Sequence, residues 1–232
     1  YFLYYQASLQ ANQRFTNEKM AAAGFDNLKF MGADVVFDGG LGGAWSADSV
    51  ALVDSGGSTV LSIGHVSANL SARSLVSGDV RLGIVVLTGV RAFLDQNRDG
   101  SWNVNHLARQ WTDGGGPAGR RRSVVADSVA LVDGRMELLQ LDTNPAMPKV
   151  RRLFSGIDAA FGQTTLSSRD SSGGWAPVRA LRMSINNPPV TLVSAAGNIR
   201  WWSDSLRLEI PRLRLPASRA GVRGTIAWPA KR

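Results

Sequence analysis

Asp95, Asn97 and Asp99 have the clearest capacity for chemistry, and with Gly100 they spell D-x-N-x-D-G. Three oxygen-bearing side chains at alternate positions before a glycine form the first half of a calcium loop, in which the glycine permits the sharp bend. Such a loop needs a bidentate carboxylate at its twelfth position, and that position holds His106, with Asn103 at the ninth and Arg98 inside. An imidazole does not serve a hard cation in that role. The expectation is therefore an Asp/Asn/Gly turn without a metal, with calcium binding as the open alternative. His65 and His106 are the only histidines, and cysteine is absent, which excludes disulfides, thiolate metal sites and cysteine nucleophiles. His65 reads as a half-buried sheet residue and His106 as a helix-surface residue. No G-x-S-x-G, H-E-x-x-H or G-x-x-x-x-G-K-[ST] pattern occurs, so the chain is expected to be no enzyme and to need no cofactor.

Two basic stretches invite an anion. Gly114-Gly115-Gly116 stands close before Arg120-Arg121-Arg122, but it lacks the strand–loop–helix context of a phosphate loop and reads as a linker. Trp201-Trp202 follows Arg200, and Phe154 follows Arg151-Arg152, yet no recognisable nucleic-acid module accompanies them, so no nucleic acid is expected. The charge is uneven. Through Pro117 the net is −2, and from Ala118 onward it is +10, with only four lysines among the 26 basic residues. Arginine grips phosphate oxygens with two parallel donors, which suits lipid headgroups as well as nucleic acid. A solvated basic face is the plain alternative.

The elements that must position these residues alternate with period two. Val80, Leu82, Ile84 and Val86 share one parity, as do Leu181, Met183 and Ile185, then Leu206, Leu208 and Ile210, then Val222, Gly224, Ile226 and Trp228. Such strands have one dry and one wet face, and in number they predict an antiparallel sheet with an apolar side. The parity flips between Ile210 and Leu213, and Pro211 at the flip predicts a bulge or an edge. Helical spacing predicts a helix over 148–161, a shorter one over 103–111, and helix in part of the first 23 residues. Ala47–Asp54 and Ala126–Asp133 are identical, ADSVALVD, which reads as a strand ending in an Asp-led turn used twice. No apolar run reaches eighteen residues. The first residues show no signal peptide, and the abrupt ends read as a piece of a longer chain.

The order of the pieces resembles the AsmA-like superfamily, and TamB-type translocation and assembly proteins in particular. The first stretch runs from Ser62 through Val80–Leu94 to Arg98-Asp99-Gly100-Ser101-Trp102-Asn103-Val104-Asn105-His106-Leu107, and the second includes Val129–Leu138, Pro188–Leu192, Asp204–Leu208 and Leu213–Ile226. The resemblance implies a mainly β fold: an elongated, curled antiparallel sheet with an apolar groove, β-taco-like, and one to three short helices. Together with the Gly-rich linker that composition places at 113–120, it divides the chain into a segment at 1–30, expected to be helical in part, a first β unit at 31–112 and a second β unit at 121–232. It also implies phospholipid in the groove, lined by Leu82, Ile84, Val86, Leu181, Met183, Leu206, Leu208 and Ile210. The implied setting is the periplasm, with an inner-membrane anchor outside this sequence and an outer-membrane β-barrel as a possible partner. Two alternatives stand beside it: a calcium-stabilised extracellular β-domain that binds carbohydrate or protein, and a purely structural β-segment.

Overall fold

The computed structural model describes residues 28–31, 34–37, 42–54, 57–71, 80–104, 124–142, 149–167, 174–202 and 205–227. Sixteen strands form one sheet: β1 (Leu28–Met31), β2 (Asp34–Phe37), β3 (Gly42–Ala47), β4 (Ser49–Val53), β5 (Thr59–Ile63), β6 (His65–Ser71), β7 (Val80–Thr88), β8 (Arg91–Asp95), β9 (Val124–Gln140), β10 (Val150–Phe161), β11 (Thr164–Ser167), β12 (Gly174–Asn186), β13 (Pro189–Leu192), β14 (Ser194–Trp201), β15 (Ser205–Arg214) and β16 (Arg219–Ala227). The fold is mainly β, as the alternating pattern predicts.

The pairing shows several of these to be halves of longer, bent strands. β3 pairs β6 and β4 pairs β5 in one unbroken register: Ala47 faces Val66 and Val50 faces Ile63. The same holds for β6 with β7 and β5 with β8, where His65 faces Thr88 and Ser62 faces Arg91. β7 and β8 then share β9, Thr88 beside Val132 and Arg91 beside Arg135. The bends fall in line at Asp48, Gly64, Gly89 and Asp133. Hydrogen bonds bridge them: Gly64 N–H donates to Gly89 C=O at 3.3 Å, and Gly89 N–H to Val132 C=O at 2.9 Å. Gly89 (φ 66°) and Asp133 (φ 53°) occupy the left-handed region, which glycine adopts freely and aspartate tolerates best among side chains with a Cβ. Asp158 Oδ1 accepts the Asp133 N–H at 3.0 Å, while its Oδ2 accepts from Arg182 Nε at 2.7 Å. These bonds hold the Asp158 carboxyl below its ordinary pKa of 3.8, the Asp133 backbone bond acting most strongly.

Three expectations are corrected. The sheet is mixed: β7 and β8 run parallel to β9, joined through a long connection of the kind parallel neighbours need. Residues 150–161, expected within a helix, form β10, flanked by β9 and β12. Val150 to Phe154 pair with β9 in unbroken register, and shifts between Phe154 and Ala159 then break the two-residue period, so that Phe154, Ile157 and Phe161 stand at helical spacing within a strand. Gly156 (φ 57°) sits there in a conformation that an α-helix interior does not use. The repeated octapeptide is not used twice in one way. Asp54 does close a turn, its Oδ1 accepting the Ser58 N–H at 2.8 Å, but Asp133 lies inside the continuous strand β9. No helix occurs among the described residues. Asn103 and Val104 lie in a turn, and the rest of 103–111, the first 23 residues and the 113–120 linker lie outside them. Strands from both sides of that linker hydrogen-bond into the one sheet.

Packing is thin. Among the described residues fourteen apolar side chains are buried, six of them alanine and none aromatic, and twelve fall into four small clusters, with Ala159 and Ala176 outside them. Among the described residues Val60, at 2% exposure, is the largest side chain buried nearly completely, contributing about 1.5–3 kcal/mol. Register slips on both sides of Pro211, between Ile210 and Leu213 toward β16 and between Ala196 and Asn198 toward β14. Gly197 lies against this bulge.

A Cβ at Gly197 would stand 2.1 Å from the Glu209 carbonyl oxygen and 2.7 Å from Ile210 Cα. Gly197→Ala should therefore cost about 3 kcal/mol in urea melts, whereas Gly224→Ala, with nothing within 4 Å, should stay within about 0.5 kcal/mol. Equal effects would remove the close backbone approach as the reason for Gly197. Because the folded pKa of Asp158 lies below its unfolded value, its contribution is complete above that unfolded value and disappears as pH falls through the folded one. Asp158→Asn should melt lower than the parent at pH 7, and the gap should close below about pH 4. A gap independent of pH would assign the effect to shape rather than charge.

Candidate functional site: an apolar sheet face

The inner face is defined by the clusters and followed by alternation from strand to strand. In the C-terminal part Val178, Leu192, Ala195 and Ile210 are buried, and Phe161, Leu181, Met183, Ile199, Leu213 and Leu215 pack on them half-exposed. Leu208 faces Ile199 and Gly224, and Leu206 faces Trp201 and Ile226, in the same parity as Ile210. In the N-terminal part Ala68, Val85 and Ala126 form the buried group, joined by Trp45, Leu82, Leu87 and Val129. A further group, Ala47, Val50 and Val66 with Ile63, spans the bend.

Of the eight residues expected to share a groove, six fall on this face: Leu82, Leu181, Met183, Leu206, Leu208 and Ile210. Ile84 and Val86 do not join it. Val85, 9% exposed, takes the inner position, and Ile84 is 56% exposed on the other side. The cause is a bulge. Leu70 pairs with Leu82 and Ala68 with Val85, so Gly83 and Ile84 together oppose Asn69 alone, and the parity reverses. Gly83 was the signal, since an isolated glycine inside an alternating run marks such a bulge. Sequence alternation also missed Val178, Leu192 and Ala195. The first lies beyond a register shift in β12, between its Val178 and Ala180 pairings; Leu192 belongs to a strand of only four residues, and Ala195 to β14, whose first five residues, Ser-Ala-Ala-Gly-Asn, show no apolar alternation.

The opposite face carries cross-strand ion pairs: Arg81–Asp127 at 2.9 Å, Arg151–Glu137 at 2.7 Å, Arg182–Asp158 at 2.7 Å and Arg223–Glu209 at 2.6 Å. All four arginines are exposed, so solvent screens each pair, which serves register more than stability. The Glu137 partner raises the pKa of Arg151 above its ordinary value through a hydrogen bond and its charge.

The Asp95–Ser101 segment closes on itself. Gly100 N–H donates to Asn97 C=O at 2.9 Å, and Asn97 N–H to Ser101 C=O at 2.7 Å. Asp99 Oδ1 accepts from the Ser101 N–H at 2.9 Å and from its hydroxyl at 2.6 Å. Asp95 pairs with Lys149, and Asn103, the ninth loop position, accepts the Asp95 N–H at 3.1 Å and donates to Phe93 C=O at 3.0 Å. An oxygen of Asp95 and one of Asp99 are thus directed at separate internal partners, and Asn97 donates its side-chain amide N–H to the Ser101 hydroxyl at 3.1 Å. His65 is exposed with Nδ1 3.5 Å from Asp48, and His106 lies outside the described residues.

Set against protein-family models and against curated proteins, the chain matches none.

If the Asp95–Asp99 turn is complete without a cation, calcium or a chelator should leave the melting temperature unchanged. A rise of several degrees with calcium would instead mark a native-state ligand.

Proposed function

We propose that the chain is a periplasmic segment of an envelope-spanning protein, one that shields lipid tails on its apolar inner face during phospholipid transport or outer-membrane assembly. One observation carries this reading: inner-face residues on neighbouring strands, Leu181, Met183, Ile199, Leu206, Leu208 and Leu213 among them, are only half-buried. A sheet with one apolar face must cover it. The small alanine-rich clusters leave that face room for something apolar from outside the chain. An acyl chain fits the need, at about 0.8 kcal/mol for each methylene removed from water. The order of motifs resembling AsmA-like and TamB-type proteins supports the same reading, and with it the inner-membrane anchor and outer-membrane β-barrel partner.

Mass spectrometry of the gently purified protein should find co-purified phospholipid, and its consistent absence would leave only a structural role for the apolar face. Leu208→Asp sharpens the test. A carboxylate there loses the apolar contact and meets a desolvation cost of several kcal/mol wherever water is excluded. On an open face it reaches water, so the variant should fold, as a thermal melt would report, and lose most of its bound lipid. A folded variant with normal lipid content would take Leu208 out of the lipid path.

A further inference from the structure

The outer face of β14–β16 holds a row of side chains whose charge is not balanced from within. Trp175 lies directly opposite Arg200, Arg200 opposite Arg207, and Arg207 opposite Thr225. Side chains placed this way stand about 4.5–5.5 Å apart at Cβ, and like charges there repel. Neither Arg200 nor Arg207 has a carboxylate within ion-pair distance among the described residues. Glu209, the next residue of this face along β15, is taken by Arg223 at 2.6 Å. Asn198, Arg200, Arg207 and Glu209 line a recess open to solvent. With Arg223, three arginines stand against one glutamate. Trp175, at the end of the row, has a buried indole N–H without a hydrogen-bond partner. Arg212, Arg214 and Arg219 extend the positive charge of these strands and raise the local anion concentration.

We propose that this recess binds a phosphate group, monoester or diester. Two guanidiniums that repel each other in the empty protein become partners once a phosphate sits between them, each offering paired donors to its oxygens. Asn198 adds an amide donor, and Arg223 holds Glu209 back from the anion. The inference stands apart from the lipid reading of the inner face, because it concerns other residues on the other side of the sheet.

The test uses the whole chain and inorganic phosphate, compared with chloride at matched ionic strength. Phosphate should raise the melting temperature of the parent. Arg200→Gln/Arg207→Gln should melt no lower than the parent without phosphate, since the repulsion is gone, and should bind phosphate about tenfold more weakly. Arg207→Lys, which keeps the charge and loses the paired donors, should fall between. The control Arg91→Gln/Arg135→Gln removes an arginine pair that also faces across strands, outside the recess, and should respond like the parent. Vesicles of phosphatidylglycerol and of phosphatidylcholine separate the sources. Retention by the parent and not by Arg200→Gln/Arg207→Gln identifies a lipid headgroup. A response to phosphate and glycerol phosphate without retention identifies a soluble phosphate compound. No response to either, an undiminished response in Arg200→Gln/Arg207→Gln, or an equal loss in the control overturns the site.

Discussion

Neighbouring strands carry one hydrogen-bond register through a shared bend, and this continuity decides where most other side chains point. A ladder can turn only where each strand tolerates the turn at the same height. Here those places are Gly64, Gly89 and Asp133, in line across β5–β6, β7–β8 and β9. Beyond the line the parity of each strand shifts together with its neighbours, so Ala47 and Val50, three apart in the chain, reach the same apolar cluster. Asp133 also ties this row to the rest of the sheet, since its backbone N–H donates to Asp158, and Asp158 in turn accepts from Arg182. The bend of the first strands is thereby tied to β10 and β12.

A sheet organised in this way has its strength in the ladder rather than in a core. Small clusters of Ala and Val permit the strands to lie close but exclude little water around Leu206, Leu208 or Met183. The outer face is arranged differently, with four cross-strand pairs each setting one arginine against one acid, and the Arg200–Arg207 row departs from that arrangement.

Much of the fold was legible because a period of two survives any detail of shape. The strands around 80–88, 181–185 and 206–210 were visible from alternation, and the Pro211 shift from a residue that cannot donate to a ladder. Two of the failures share one reason, that bulges imitate other periods. The shifts around Gly156 turned a strand into an apparent helix, and the bulge at Gly83 moved Ile84 and Val86 to the other face while bringing Val85 in. The parallel entry of β9 was hidden because strand direction leaves no mark on alternation. For the candidate site, six of eight residues followed from pattern alone. The Arg200–Arg207 juxtaposition could not, since it depends on which residues two strands place side by side.

The duplicated ADSVALVD has a bearing on how the chain finds this arrangement. Its copies occupy dissimilar settings: Ala47 is buried at the bend and Asp54 ends a strand, while Ala126 is buried far from the bend and Asp133 lies within it. To β7, which takes the second copy, the first copy offers the same eight side chains, including an aspartate spaced to meet Arg81. Local recognition therefore cannot tell the two apart during folding. The choice falls to the flanks, where Gly134-Arg135 continues the strand beside β8 and Asp54 instead turns back on Ser58. Correct assembly thus depends on long-range pairing that forms late and at high contact order, and a chain committed to the wrong copy must unpair before it can proceed.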